Sequence, residues 1–411
     1  MTEPSPEQQA GATGAVVIAG GGFAGLYTAL ALAERRHHPP ILLIEPNDRF
    51  VFLPLLYELL SGELRSWEVA PRYDTLLAGH GVAWLRDRVS AIDTHASSLR
   101  TEQGRELEFS KLVIATGSRP TSFGVPGVEN HAIGFRTLAD VEHLQGLVQE
   151  LRGRQRPLQR LAVVGAGPSG VELACKLADL LQGAALLELI EQGPELLPKA
   201  RSFNREQART ALLRRDVRLR TSTRVLAVEA DHIQLGLPAA ADGSSSEERL
   251  AVDGVIWTAG VTANSPSIHP AAAIDGGGRL LCTPELQLRD HPGVFVSGDL
   301  AHVEDADGEV LPGTAQVAFQ QADQLAGNLL RSIAAEPLEP FLWRDLGEMI
   351  SLGVGEASLT GLGLTLAGSA AYRIRQLTYL SRLPGRSHQL RVAAGWLSDL
   401  GRPLFGQASR S

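Results

Sequence analysis

The chain has 411 residues, 44% hydrophobic and 20% charged, with a formal net charge of −8. That is enough length for two or three cored domains and an ordinary balance for a folded protein, and the acidic sign speaks against general nucleic-acid binding. Two cysteines, Cys175 and Cys282, in no CxxC spacing fit a reducing compartment and give neither a disulfide framework nor a metal site. The opening MTEPSPEQQAGATG does not read as a signal peptide, and no apolar run reaches the roughly 18–20 residues that span a bilayer.

From the N-terminus, AVVIAGGGFAGLYTALAL reads as a β-branched strand, a glycine turn and a helix. Gly20, Gly22 and Gly25 form GxGxxG, and the next apolar strand, ILLIE, ends in Glu45, twenty residues beyond Gly25. Gly20 permits the tight turn, Gly22 brings backbone up to a pyrophosphate, and Gly25 lets helix pack on strand. Glu45 can accept from a ribose, so the whole unit predicts a dinucleotide site. KLVIATGSRP (111–120) is another buried strand, ending in the small-residue turn Thr116-Gly117.

The fingerprint then repeats. RLAVVGAGPSGVELACKLADLL carries Gly165, Gly167 and Gly170, with Pro168 and Ser169 opening the helix, and the strand ALLELIE ends in Glu191. Two fingerprints imply two dinucleotides: one tightly held FAD and one exchangeable nicotinamide cofactor that reduces it. Glu191 favours a free ribose 2′-OH and hence NADH, whereas Arg201 or Arg205 could reach a 2′-phosphate, so NADH and NADPH both stay open.

LPAAADGSSSEER (237–249) reads as a polar hairpin loop without a function of its own. GVIWTAGV (254–261) is a strand ending at Ala259-Gly260, and GVFVSGDLA (293–301) sets Asp299 at a strand end, where a carboxylate can hold a ribitol hydroxyl. Ligands of doubly wound sheets bind beyond the carboxyl ends of strands, so these turns belong to cofactor sites. Because the second fingerprint falls between the first and the Gly-Asp turn, the nicotinamide domain is an insertion in the flavin domain, with crossovers near 120–135 and 262–275.

LPGTAQVAFQQAD (311–323) places Gln316, Gln320 and Gln321 on a helix that Thr314 would cap. Glutamine offers amide donors and acceptors without charge, so alone this row reads as a solvated helix face. Downstream, residues 371–411 hold seven arginines (Arg373, Arg375, Arg382, Arg386, Arg391, Arg402, Arg410) against one acid, Asp399. That end carries +6, which leaves −14 on the rest of the chain. Tyr372, Ile374, Leu377, Leu380, Leu383, Leu390 and Trp396 are spaced as apolar helix stripes among these arginines, and Pro384-Gly385 should split the segment into two helices. Basic amphipathic helices of this kind lie in a membrane interface.

With these residues assembled, nearly the whole chain resembles the two-dinucleotide-binding-domain flavoproteins and, among them, the type II NAD(P)H:quinone oxidoreductases. The resemblance rests on GGGFAGLYTAL, FLPLLYELLSGEL, LVIATGSRP, GFRTLADV, VVGAGPSGVELACKL, VIWTAGV, VFVSGDLA and LPGTAQVAFQQAD. The ending, LGEMISLGVGEASLTGLGLTLAGSAAYRIRQLTYLSRLPGRSHQL, is similar to a cyanobacterial and plastid branch that reduces naphthoquinones such as demethylphylloquinone. The resemblance implies an α/β fold of two Rossmann-like domains, the NAD(P)H domain inserted in the FAD domain, plus a C-terminal membrane-associating segment. The expected division is 14–125 and 271–335 for FAD, 126–270 for NAD(P)H, and 336–411 for membrane docking and quinone access.

The resemblance also implies roles. Phe23 and Ala24 join Gly20, Gly22, Gly25, Glu45, Thr116, Gly117 and Asp299 around FAD. Ala315 and Gln316 begin an AQxxxQQ element, completed by Gln320 and Gln321, whose helix N-terminus faces the flavin pyrimidine ring and which lines a quinone tunnel. Glu172 lies near the nicotinamide and quinone end of the flavin and is a possible proton route to quinol. Phe52 and Pro54 become flavin neighbours. The partners implied are a membrane quinone, either a naphthoquinone such as demethylphylloquinone or plastoquinone, and the membrane surface, with a homodimer possible and no nucleic acid. The expected location is cytoplasmic, peripheral on the inner face of a thylakoid or plasma membrane.

No metal is expected, since the eleven histidines form no HxxxH or HExxH. A disulfide reductase of this fold needs a redox cysteine pair, and residues 45–65 hold no cysteine; a sulfide:quinone reductase needs cysteines at the flavin face. The alternatives kept are a respiratory type II NADH dehydrogenase using a general membrane quinone, and a flavin-based redox sensor.

Overall fold

Fully apolar runs become the central strands of two parallel sheets, because a strand covered on both faces has no polar side to show. The structure, a computed structural model, describes residues 14–154, 156, 158–238 and 246–399. Arg402, Arg410, the centre of the 237–249 loop and all but the last residue of MTEPSPEQQAGATG lie outside the described residues.

The chain divides into two packing units. The first runs to Phe50 and continues with Arg72–Phe123 and Gly260–Asp345. Its sheet has the order Gln287–Leu288, His291–Val296, Lys111–Ile114, Val16–Ala19, Ile41–Ile44, Val82–Leu85, parallel except at the first pair. Val16–Ala19 is flanked by Ile41–Ile44 on one side and Lys111–Ile114 on the other, so the strand order reverses there and opens a crevice at its carboxyl end. The helices Phe23–Ala33 and Ala315–Ile333 pack on one another in this unit.

The second unit comprises Val51–Pro71, Gly124–Ala259 and the chain from Leu346 onward. Its all-parallel sheet has the order Arg218–Arg220, Leu186–Ile190, Arg160–Val164, Gly254–Trp257, Ala132–Ile133, with the reversal at Arg160–Val164. Val164, Ile190 and Trp257 share a core with Val225, Ile233 and Leu250 of an antiparallel sheet. The strands His232–Gly236 and Glu247–Ala251 of that sheet pair across the expected hairpin. A three-stranded sheet, Glu348–Ser351, Ala357–Gly361 and Leu364–Gly368, packs Ala357 and Leu359 against Ala371 and Tyr372 of the helix Ser369–Arg382. The helix Arg386–Asp399 follows.

These units differ from the sequence division at several boundaries. Val51–Pro71, expected with the first domain, packs in the second unit; 260–270, expected with the NAD(P)H domain, and 336–345, expected with the C-terminal region, pack in the first; and the chain from Leu346 onward, expected as a region of its own, packs in the second. An apolar stretch announces that it is buried, not which core it joins. Gln145 Nε2 donates to the carbonyls of Leu59 and Leu60 at 3.2 Å, and Tyr57 packs on Phe135.

The C-terminal segment breaks at Pro384-Gly385 as predicted, but its residues do not all face outward. Arg375 is 1% exposed, Tyr372 and Leu383 are buried, and Trp396 Nε1 donates to Glu68 at 3.1 Å. Arg391 sits over the Trp67 ring. The outward leucines are Leu377, Leu390 and Leu397, 64–72% exposed. No helix of the described residues is long and apolar enough to cross a membrane.

Candidate functional site

Each sheet carries one glycine turn at its crevice, and the two turns are built alike. In the first, Gly20 has φ +100 and a Cβ there would stand 2.5 Å from Ala115 O; a Cβ on Gly25 would stand 1.9 Å from Gly20 O. Only glycine fits either position. Gly22 is different: a Cβ there meets nothing within 4 Å. The space lies at the N-terminus of Phe23–Ala33, which no side chain caps, and this is what an approaching pyrophosphate requires. Buried Glu45 accepts from Gly21 N at 2.8 Å and from Asn47 N at 2.9 Å, which fixes its carboxylate beside the turn. Ala24 is buried, while Phe23 stacks on Tyr27 and meets Phe50 edge-on.

The second turn repeats this pattern. Gly165 has φ +102 and packs against the Ala259 backbone, a Cβ on Gly170 would stand 1.8 Å from Gly165 O, and Gly167 is open. Pro168 and Ser169 start the helix Pro168–Leu181, again without a side-chain cap. Glu191 accepts from Ala166 N and Gly193 N, both at 2.7 Å. Gly260 has φ +87 and lies against Phe123. Arg205, one of the cations considered for a 2′-phosphate, is engaged by Glu195 and the carbonyls of Leu197, Pro198 and Ala200.

Further along the first crevice, Thr116 Oγ1 donates to Asn264 O at 2.6 Å and Asn264 N donates to Gly117 O at 2.9 Å, a lock that sequence reading missed. Asp299 accepts from Ser118 Oγ at 2.6 Å. A Cβ on Gly298 would touch Ala24 and Ala318, and one on Gly313 would touch Asp299. The glycine turn, the Gly-Asp turn and the start of Ala315–Ile333 therefore converge. Thr314 caps that helix, accepting from Val317 N.

The glutamine row divides. Gln321, 1% exposed, accepts from Ser297 Oγ at 3.0 Å and Gly298 N at 2.8 Å, so its amide supports the Gly-Asp turn. Gln320 makes a two-bond pair with the Arg344 backbone, donating to its carbonyl and accepting from its N–H. Gln324 donates to Glu339 O, and Asn328 both donates to Glu339 O and accepts from Glu339 N. Positions 320, 324 and 328 thus form one amide stripe that ties residues 339–344 to the helix. Of the AQxxxQQ glutamines expected to line a quinone tunnel, Gln320 and Gln321 have their amides in this internal work.

Glu172 lies in the interior of the second unit, 8% exposed. It accepts from Ser351 N at 2.7 Å and has Arg375 Nη2 at 3.7 Å. Burial pushes its carboxyl up to about 7, against the pull of Arg375. The charges of Glu58 and Lys176 act on it, and Lys176 in turn donates to Glu63; none of these three was singled out from sequence. The signal was present: Lys176 stands four residues after Glu172 on a buried helix face, a charge inside an apolar stripe. Phe52 packs edge-on against Tyr379, and Pro54 O accepts from Arg375 at 2.6 Å, so both serve this interior.

Cys175 and Cys282 are each buried, unbonded to another cysteine, and pushed up to about 12 by burial, which leaves two unreactive thiols. Among the described residues no group of three or more His, Cys, Asp or Glu is placed to hold a metal.

Residues 14–322 match the pyridine nucleotide-disulphide oxidoreductase family. The demethylphylloquinone reductase of Synechocystis sp. is 39% identical over 397 residues, 95% of this chain and 96% of that protein. The alternative NAD(P)H-ubiquinone oxidoreductase of Arabidopsis thaliana, chloroplastic/mitochondrial, is 35% identical over 417 residues, 93% of this chain and 80% of its own. Among solved structures, NDH2 of Plasmodium falciparum in complex with NADH matches with a TM-score of 0.82 over 96% of this chain and all of that one. At 16% identity that likeness speaks for the fold alone.

Proposed function

This chain belongs to the pyridine nucleotide-disulphide oxidoreductases, in the branch of type II NAD(P)H:quinone oxidoreductases, and we propose that it reduces a membrane naphthoquinone with electrons from NADH by way of FAD. The observation that carries this reading is the doubled cradle: two glycine turns, each with an open middle glycine and a locked carboxylate, in a chain whose two cysteines are inert. Held in the first cradle, FAD would supply hydride acceptance from reduced nicotinamide and two-electron transfer to quinone. The protein supplies position and electrostatics. In the first unit Gly20–Gly25 and the helix start behind them receive the pyrophosphate, Glu45 the ribose, and Asp299 the ribitol. Thr116 and Gly117 close the crevice. The N-terminus of Ala315–Ile333 would present backbone N–H groups to the flavin ring and favour negative charge there, with Gln316 in its first turn beside the quinone. In the second unit Gly165–Gly170, Glu191 and Ala259 would receive the nicotinamide dinucleotide. Glu172 holds a proton for the quinol.

The choice of NADH rests on the likeness of the two turns. The ribose of FAD never carries a 2′-phosphate, and Glu191 is held by the same pair of backbone donors as Glu45. A carboxylate fixed there repels a phosphate, and Arg205 is engaged elsewhere. Thermal stabilisation by ADP-ribose but not by its 2′-phosphate is the expected result, and Glu191→Ala should narrow that difference at least tenfold. Equal stabilisation by both ligands would remove the NADH reading.

The test of the function is anaerobic. NADH should bleach the bound flavin, and a naphthoquinone should restore its colour faster than a benzoquinone. Equal rates would favour the general respiratory reading, and a flavin that NADH does not bleach would favour the sensor. Outward Leu377, Leu390 and Leu397, with exposed Arg373, Arg386 and Arg391 near them in the sequence, support docking on a membrane surface.

A further inference from the structure

Five ionisable side chains meet in the interior of the second unit: Glu58, Glu63, Glu172, Lys176 and Arg375. Glu58 and Lys176 are completely buried, and the Glu63 side chain is 14% exposed. Arg375 donates to Glu58 and stands 3.7 Å from Glu172. The Lys176 ammonium donates to Glu63 and stands 3.9 Å from Glu58. Three acids therefore face two bases, and with all five ionised the core carries one uncompensated negative charge. A buried net charge is costly, and the core avoids it by keeping one proton.

The opposite charges, with the hydrogen bonds, decide which acid keeps it: Glu58 has both Arg375 and Lys176 within 3.9 Å, whereas Glu172 has only Arg375, at 3.7 Å. Glu63 receives the ammonium, the hydroxyls of Ser61 and Tyr372, and Gly355 N–H. Glu58 receives the guanidinium directly. Glu172 has a single backbone N–H and a more distant guanidinium. The remaining titratable neighbours stay protonated: burial pushes Tyr57 and Tyr372 well up, Tyr379 up, and Cys175 up to about 12.

We propose that Lys176 is a positioning residue for the reaction: its charge, lodged between Glu58 and Glu63, limits this core to a single exchangeable proton and leaves that proton on Glu172. The proposal rests on the reading of Glu172 as the proton source. It makes the proton count of the core a matter of charge balance, so removing a base and removing an acid must act in opposite directions.

The experiment uses the full-length FAD-loaded protein. The infrared band of a protonated buried carboxyl, assigned to Glu172 by its loss in Glu172→Gln, is titrated against pH; a midpoint near 7 is expected. Lys176→Met should raise that midpoint by about one pH unit or more, the size expected for a unit charge several ångströms away at an effective dielectric of about 20. Glu63→Gln should lower it, and the double variant should return it near the starting value. Lys176→Arg should behave as the parent. The pH limb of flavin reoxidation by naphthoquinone should move in parallel, while reduction by NADH stays unchanged. If Lys176→Met and Glu63→Gln only lower the melting temperature and leave the midpoint in place, Lys176 is a structural ion and the proposal fails. Should Lys176→Met not fold, the opposite shift in Glu63→Gln and its reversal in the double variant decide the matter. If Glu172→Gln itself leaves the pH limb of reoxidation unaltered, the underlying reading of Glu172 falls instead.

Discussion

Gly22 and Gly25 are three residues apart in one motif, yet substitution should separate them completely. A Cβ on Gly25 would collide with backbone, whereas one on Gly22 meets no protein atom. Gly25→Ala is expected to destabilise the fold by 1–3 kcal/mol or more, as overpacking does. Gly22→Val should leave the melting of the flavin-free protein unchanged and abolish FAD uptake. A yellow Gly22→Val protein would remove the first unit as the flavin site. The glutamines separate in the same way. Gln321→Leu leaves the Ser297 hydroxyl and Gly298 N–H without their acceptor, a loss of about 1–3 kcal/mol in urea unfolding. Gln316→Leu should slow reoxidation by quinone about tenfold, the worth of one hydrogen bond. If the two variants exchange these signatures, the assignment of roles along the helix is wrong.

At the scale of elements, the helix Arg386–Asp399 is fastened to the segment Arg65–Val69 through His388. The Glu68 carbonyl lies 3.0 Å from Nε2 and Arg391 Nη2 3.4 Å from Nδ1, so these partners set a neutral ring, with Nε2–H donating and Nδ1 accepting. Burial lowers the His388 pKa below its ordinary 6.5. A lowered histidine stabilises the fold above its unfolded value, and that contribution is lost as pH falls through the folded one. Protonation would turn an N–H toward the Arg391 guanidinium, while the Glu68 carboxylate is already occupied by Trp396 and Arg65 N–H. Amide hydrogen exchange in 386–399 should therefore accelerate below pH 6.5, relative to the rest of the chain, and His388→Asn should abolish that pH dependence. Exchange that is flat with pH in the parent would show that His388 is not the fastening.

For the whole molecule, the question is how the protein reaches a quinone that lives in lipid. Deleting the chain from Ala371 would be a poor test, because it takes Arg375 from Glu58 and Tyr372 from Glu63. Leu377, Leu390 and Leu397 are a cleaner choice: Leu390 and Leu397 are seven residues apart on one helix stripe, and all three point outward. Changing the three to Ser should leave the flavin spectrum and melting intact and abolish co-sedimentation with anionic vesicles at low salt. It should also spare turnover with a water-soluble quinone. Unchanged co-sedimentation would place the membrane contact elsewhere.

The sequence alone determined what local geometry dictates. A GxGxxG between strand and helix, with an acid after the next strand, is a complete short-range object, so both cradles, the Thr314 cap and the break at Pro384-Gly385 were legible. What only the tertiary structure decided are matters of long-range partnership. Gln320 and Gln321 looked alike in sequence, and their roles were set by Arg344 and Gly298, which lie far along the chain. Arg375 read as one of seven basic surface residues until the fold brought it to Glu58, 317 positions away. A charged side chain is exposed by default because burying it alone is costly, and only the fold supplies the opposite charge that makes burial possible.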